Sequence, residues 1–235
     1  MEGICETSVV LKAGGPDDGE LALINAQALR PLTAAEVFTF KLEACDNQVD
    51  RDFERFTDRA LEQMAKLYVG KPVIQDHKWS SGAQTARVYA AGVEAEGSRK
   101  RLILRCYMPR TEGTAETIAA IESGVIRECS VGLRVHKSVC SICGAVQQEA
   151  MCRHYPGKEY GGKLCHFDLD EVTDVYEVSL VAVPAQPAAG VVKSKRYSLP
   201  EQSGQGAGEP SQDRSKTLRR ARARLALEKI RYGGM

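Results

Sequence analysis

Between residues 37 and 183 the apolar side chains recur with a period of two, in short runs broken by turn-forming residues. That period puts alternate side chains on opposite faces of an extended backbone, which commits the chain to sheet. In the first run Phe38, Phe40, Leu42 and Ala44 alternate with Val37, Thr39, Lys41 and Glu43. Further strands are expected over 71–75, over 86–94 and 101–107 around the hairpin-like Glu96-Gly97-Ser98-Arg99, over 129–135, and over 176–183 before Pro184-Ala185-Gln186-Pro187. Two helices interrupt them. Thr57 can cap one in which Leu61, Met64, Ala65 and Tyr68 share a face, stopped at Gly70. Thr114 can cap another with Ala115, Ile118, Ile121 and Val125 on one face, closed near Gly124. The fold class that follows is mainly β with peripheral helices (α+β), built as a closed or partly closed antiparallel barrel.

The 235 residues suit one domain of about 100–200 residues plus extensions. Residues 1–35 read as an irregular N-terminal extension, with a turn cluster at Gly14-Gly15-Pro16-Asp17-Asp18-Gly19. Residues 36–197 form the body, and 138–166 are a Cys- and Gly-rich insertion within it. Residues 198–213 contain Gly, Ser, Gln, Glu and Pro without an aromatic residue and read as a disordered linker. Residues 214–235 read as a basic helical tail, with Ala223, Ala226, Leu227 and Ile230 at helical spacing. The net charge of +1 conceals an asymmetry: 213–231 carry eight Lys/Arg against two Asp/Glu, leaving 24 basic against 29 acidic residues elsewhere. The body and the tail are therefore expected to meet different partners. No apolar run approaches the ~20 residues of a membrane span. Met1-Glu2-Gly3-Ile4-Cys5 has no secretory pattern, so reduced thiols and a cytoplasmic setting are expected.

Of eight cysteines, Cys140, Cys143, Cys152 and Cys165 crowd together. A Cys-x-x-Cys knuckle supplies two zinc ligands from one tight turn, and Cys152-x-His154 is a plausible second half. The first-choice ligand set is Cys140, Cys143, Cys152 and His154, with Cys165 as the alternative ligand and His166 as a weaker rival. Four protein ligands close the shell, so the zinc is expected to be structural, and a polar insertion lacks a core without it.

Ser130, in Glu128-Cys129-Ser130-Val131-Gly132, is the candidate nucleophile. Acyl transfer needs a base to take its proton, a group to orient the base and donors for the oxyanion. Among four histidines, His154 is preferred for metal and His166 lies beside the cluster. His136 shares the strand of Ser130 at ~20 Å, given ~3.3 Å per residue. His77 remains as the base. Glu177, in a run of apolar residues, needs a partner for its charge, and orienting His77 would supply one. Asp174 and Asp76 are alternatives, and a structural ion pair of Glu177 with Arg87 or Arg134 is the rival reading. Backbone N–H groups near Gly132, or the Arg134 guanidinium, are the candidate oxyanion donors.

The order of these motifs resembles the prohead (procapsid maturation) serine proteases of tailed bacteriophages, a family related in fold to the herpesvirus assemblins. The resemblance covers roughly 36–192 and runs through Asp50-x-x-x-Glu54, Pro72-Val73-x-x-Asp76-His77, Tyr107-Met108-Pro109 and Ile121-Glu122-Ser123-Gly124-Val125-Ile126. It continues through Glu128-Cys129-Ser130-Val131-Gly132 and Tyr176-Glu177-Val178-Ser179-Leu180-Val181-x-Val183-Pro184-Ala185. The resemblance implies an assemblin-like barrel, His77 as base and Ser130 as nucleophile. Assemblins use a second histidine as third member, and here Glu177 stands in the return strand. It also implies a homo-oligomeric endopeptidase acting in the host cytoplasm, inside the immature capsid, on scaffold and capsid-protein extensions and on itself. The Cys/His insertion is not something the family needs. Two other readings remain open: a catalytically silent module that binds capsid or scaffold partners, and a nucleic-acid binder built from zinc knuckle and basic tail.

Overall fold

A computed structural model describes residues 15–191. The linker expected over 198–213 and the basic tail expected over 214–235 lie outside the described residues. Ten strands and three α-helices follow one another within them: α1 Asp18–Asn25, β1 Val37–Asp46, β2 Glu54–Phe56, α2 Asp58–Leu67, β3 Pro72–Gln75, β4 Ala86–Glu96, β5 Arg99–Pro109, α3 Glu112–Glu122, β6 Glu128–Cys140, β7 Glu159–Tyr160, β8 Lys163–Leu164, β9 Phe167–Val181 and β10 Gly190–Val191.

Seven strands close into a barrel in the order β9-β3-β4-β5-β1-β10-β6, with β6 returning to pair with β9 and β2 attached outside the ring on β9. The barrel is mixed. β3 and β2 both run parallel to β9, so the expectation of a wholly antiparallel barrel is corrected. A parallel pair needs a crossover, and α2 leads into β3 while the long course through β4, β5 and β6 separates β3 from β9. The core inside the ring holds Phe38, Phe40, Leu42, Leu102, Leu104, Cys106, Val178 and Leu180, and α2 adds Leu61, Met64 and Tyr68.

α2 follows the sequence closely: Thr57 Oγ1 accepts from the Ala60 N–H at 3.1 Å, and Leu61, Met64 and Tyr68 are fully buried. α3 starts three residues earlier than expected. Thr111 is its N-cap and Thr114 is the third helical residue of a capping box, while Val125 lies beyond the helix and is exposed. The N-terminal expectation is also corrected, because residues 18–25 are helical. Asp17 Oδ1 accepts from the Glu20 N–H at 2.8 Å and Glu20 reaches back to the Asp17 N–H, a capping box within what reads as a turn cluster. The helix docks on the barrel: Ile24 is buried against Val37 and Tyr89, and Tyr89 donates to Glu20 at 2.9 Å. Among the described residues no helix is long and apolar enough to cross a membrane.

The docking of α1 gives a direct check. Ile24→Ala should lower unfolding free energy by about 2–5 kcal/mol, the range for truncating a fully buried aliphatic side chain. Urea unfolding measures it, and an unchanged midpoint would return α1 to an undocked extension.

Candidate active site and metal centre

β6 and β9 are longer than the sequence suggests and pair along almost their whole length, from Glu128↔Val181 to Cys140↔Phe167. Strand alternation decides which side chains point inward. Cys129 is fully buried, with its thiol 3.4 Å from the Glu43 carbonyl oxygen, and burial pushes that thiol up. Ser130, the next residue, faces the other way and is half-buried. Of these two neighbours the hydroxyl is accessible and the thiol is not.

Across from Ser130 on β9 stands Ser179, and across from Ser179 on β3 stands Ile74. Glu177, two residues before Ser179, shares that outer face and is only 3% exposed. A carboxylate out of water must be hydrogen-bonded, and both its oxygens are. His77 Nδ1 lies 2.8 Å from Glu177 Oε1, and Ser179 Oγ donates to Glu177 Oε2 at 2.9 Å. A carboxylate only accepts, so the shared proton sits on Nδ1, and in the neutral ring Nε2 is the nitrogen with the free lone pair.

Gly132 makes room for this carboxylate. It lies opposite Glu177 in the ladder, and a Cβ there would stand 2.9 Å from Glu177 Cδ and closer still to Oε1. Just beyond, the register shifts between Gly132 and Leu133. Tyr176 is the extra residue of that bulge, and its ring packs 5.4 Å from that of Trp79.

His77 is delivered by a strained turn. Lys78 donates its N–H to the Gln75 carbonyl at 3.0 Å, and both central residues have positive φ, Asp76 at 51° and His77 at 52°. Those angles belong to a turn that favours Asn, Asp or Gly; Asp76 suits its first position, while His77 stands where Gly is usual, at a cost of about 1–3 kcal/mol. The His77 N–H donates to Ser179 Oγ at 3.0 Å, which anchors the turn to β9. The His77 side chain is 44% exposed, open to solvent while Glu177 is not.

Glu177 is thus the group that holds His77. Of the alternatives, Asp76 lies 3.4 Å from Lys78 and Asp174 lies 3.4 Å from Lys71. Arg87 donates to the Gly70 carbonyl, and Arg134 is exposed opposite Asp174. His136 is exposed farther along β6. Ser130 and Ser179 are direct cross-strand neighbours, which places their Cβ atoms about 5 Å apart. No hydrogen bond joins Ser130 to His77 among the described residues; such bonds often tighten only around substrate. Ser130 borders a cleft of about 380 Å³ with Val131, Ala185, Gln186 and Ala189. A second cleft of about 390 Å³ reaches Glu177 from the β3 side, under Trp79 and Tyr176.

The insertion closes the far end of the β6–β9 ribbon. Ligand atoms of Cys140, Cys143, Cys152 and His154 all lie within 4.8 Å of one another, so these four could hold a metal ion. Ligands about 2.3 Å from one ion stand roughly 3.8 Å apart, which fits this spacing. The Cys140–Cys143 knuckle is closed by the Gly144 N–H on the Cys140 carbonyl at 2.9 Å, with Gly144 at φ 72°. Burial pushes the Cys140 thiol up, but N–H groups of Cys143 and Ile142 aimed at its sulfur outweigh this and hold it below the usual thiol value. The N–H of His154 likewise lowers the Cys152 thiol. His154 Nδ1 is buried with no hydrogen-bond partner, as a ligand nitrogen would be without its ion. Cys165 is buried with its sulfur 4.0 Å from that of Cys140 but stands outside the four-ligand group. His166 lies 3.4 Å from Asp168.

Ser179 is the residue that sequence reasoning misses. Its signal is the Glu-x-Ser spacing, which puts two polar side chains on one face of an apolar strand.

Two measurements probe this geometry. Gly132→Ala should destabilise the fold by about 1–3 kcal/mol through overpacking, and the penalty should largely vanish when Glu177→Ala is already present. A double-mutant cycle measures this, and strictly additive effects would contradict the contact. Protein purified without chelator should contain about one metal ion per chain, lost on Cys143→Ser. Elemental analysis finding none would remove the metal centre.

No protein-family model, no curated protein and no solved structure matches this chain.

Proposed function

We propose that the chain is a serine endopeptidase of the prohead-protease kind, with an assemblin-like barrel, that cleaves scaffold and capsid-protein extensions and itself inside the immature capsid in the host cytoplasm. One observation carries the reading: a half-exposed imidazole is gripped through Nδ1 by a buried carboxylate, on the same sheet face as an accessible serine. A purely structural ion pair does not require a turn with two positive-φ residues to carry an imidazole that is 44% exposed.

In the proposed mechanism His77 Nε2 takes the Ser130 hydroxyl proton as Oγ attacks the scissile carbonyl. Glu177 holds the Nδ1–H and stabilises the imidazolium that forms. His77 then protonates the leaving amine, and the same base activates water to hydrolyse the acyl-enzyme. Oxyanion donors come from backbone N–H groups near Gly132 or from Arg134. The metal centre takes no part in the chemistry. Its three thiols and one imidazole suit zinc, and four protein ligands give it a structural role. The substrates are peptide segments of capsid and scaffold, and the working form is a homo-oligomer.

Ser130→Ala and His77→Ala should each lower kcat by about a millionfold. Glu177→Gln, which keeps the shape but favours the wrong tautomer, should lower it about ten-thousandfold. A fluorophosphonate probe should label Ser130 in the parent and nothing in Ser130→Ala, read by mass spectrometry. Absence of labelling in the folded parent would favour the other reading, a catalytically silent module that binds capsid or scaffold partners.

A further inference from the structure

Ser179 has no step in the chemistry proposed above, yet it is wholly buried and both of its polar functions are committed. Its oxygen accepts from the His77 backbone N–H at 3.0 Å, and its proton goes to Glu177 Oε2 at 2.9 Å. The other carboxylate oxygen, Oε1, binds Nδ1 of the same histidine at 2.8 Å. These three contacts form a closed ring through His77 main chain, Ser179, Glu177 and His77 side chain. We propose that Ser179 is a positioning residue that locks the plane of the Glu177 carboxylate and ties it to the backbone of the residue it orients. This deepens, and rests on, the serine-endopeptidase reading.

Three physical points support it. The terminal torsion of a glutamate is broad, so one hydrogen bond at Oε1 leaves the carboxylate free to swivel; a second at Oε2 fixes it. His77 sits in a sparsely populated backbone region, and such residues persist only where surrounding contacts over-determine them. Its N–H bond to Ser179 is one such contact. Ser130 and Ser179 face each other across the ladder, and burial assigns them different work. Ser179 is fully buried and its proton is engaged, so it cannot attack a peptide, whereas Ser130 is accessible.

The test uses the full chain with Ser179→Ala and Ser179→Thr. Two readouts are followed: the rate of fluorophosphonate acylation at Ser130, and the far-downfield proton resonance of His77 Nδ1–H. Ser179→Ala should slow acylation about tenfold or more, as expected for losing a hydrogen bond to a charged group, and should abolish the resonance. Ser179→Thr, which keeps the hydroxyl, should restore both. A Ser179→Ala protein with unchanged rate and resonance overturns the proposal. If Ser179→Ala does not fold, the near-isosteric Ser179→Cys replaces it, with the same loss expected and the same persistence overturning it. If the parent is never acylated, the endopeptidase reading fails. The resonance then decides on Ser179 alone: its loss in Ser179→Ala supports the positioning role and its persistence refutes it.

Discussion

Glu177 carries a charge that the fold takes out of water, and the surrounding structure is arranged to satisfy it. Leaving such a group without a hydrogen-bond partner costs about 1–3 kcal/mol or more, so its contacts are not interchangeable. Gly132 supplies the space, Ser179 one hydrogen bond and His77 the other. Each lies on a different segment, and all three meet only in one register. A one-residue slip of β6 against β9 would turn Ser130 inward, bring Cys129 out and put a side chain where Gly132 leaves room. The register that brings His77 Nδ1 to Glu177 is therefore also a condition for burying Glu177.

The Cys140, Cys143, Cys152 and His154 cluster, which could hold a metal ion, sits on the same ribbon. Cys140 ends β6, and Cys165 lies two residues before β9 begins, so the insertion ties the two long strands together at their far end. Ten residues separate Cys140 from Ser130, about 33 Å at 3.3 Å per residue, too far for direct chemistry. An ion held there would give a fixed end to a ribbon whose ladder shifts register twice along its length. A polar excursion with little apolar surface of its own gains order from such a brace.

Much of this was legible in the residues. Alternation over 37–44 marks β1, Thr57 and Gly70 bound α2, and the Cys-x-x-Cys knuckle marks half of the cluster that could hold a metal ion. Elimination among four histidines reaches His77, and an acidic residue in an apolar strand points to Glu177. What was hidden has physical causes. The bulges at Tyr176 and Thr173 break the period of two in β9, so that strand looks half its length. β2 has three residues, too few to show a pattern, and parallel pairing of β3 with β9 leaves no local mark. The Asp17–Glu20 capping box lies among glycines and a proline that read as turn. Ser179 leaves only the faint mark of a second polar residue two places after Glu177, and the space Gly132 leaves for Glu177 shows only once β6 and β9 are paired.

The serine-endopeptidase proposal turns on Glu177 fixing the His77 tautomer, with the proton on Nδ1 and Nε2 left free to act as the base. Nitrogen-15 NMR of labelled histidine measures this directly in the resting protein near pH 8. The account predicts His77 with a protonated Nδ1 and an unprotonated Nε2. A His77 ring protonated on Nε2, with Nδ1 bare, would contradict it.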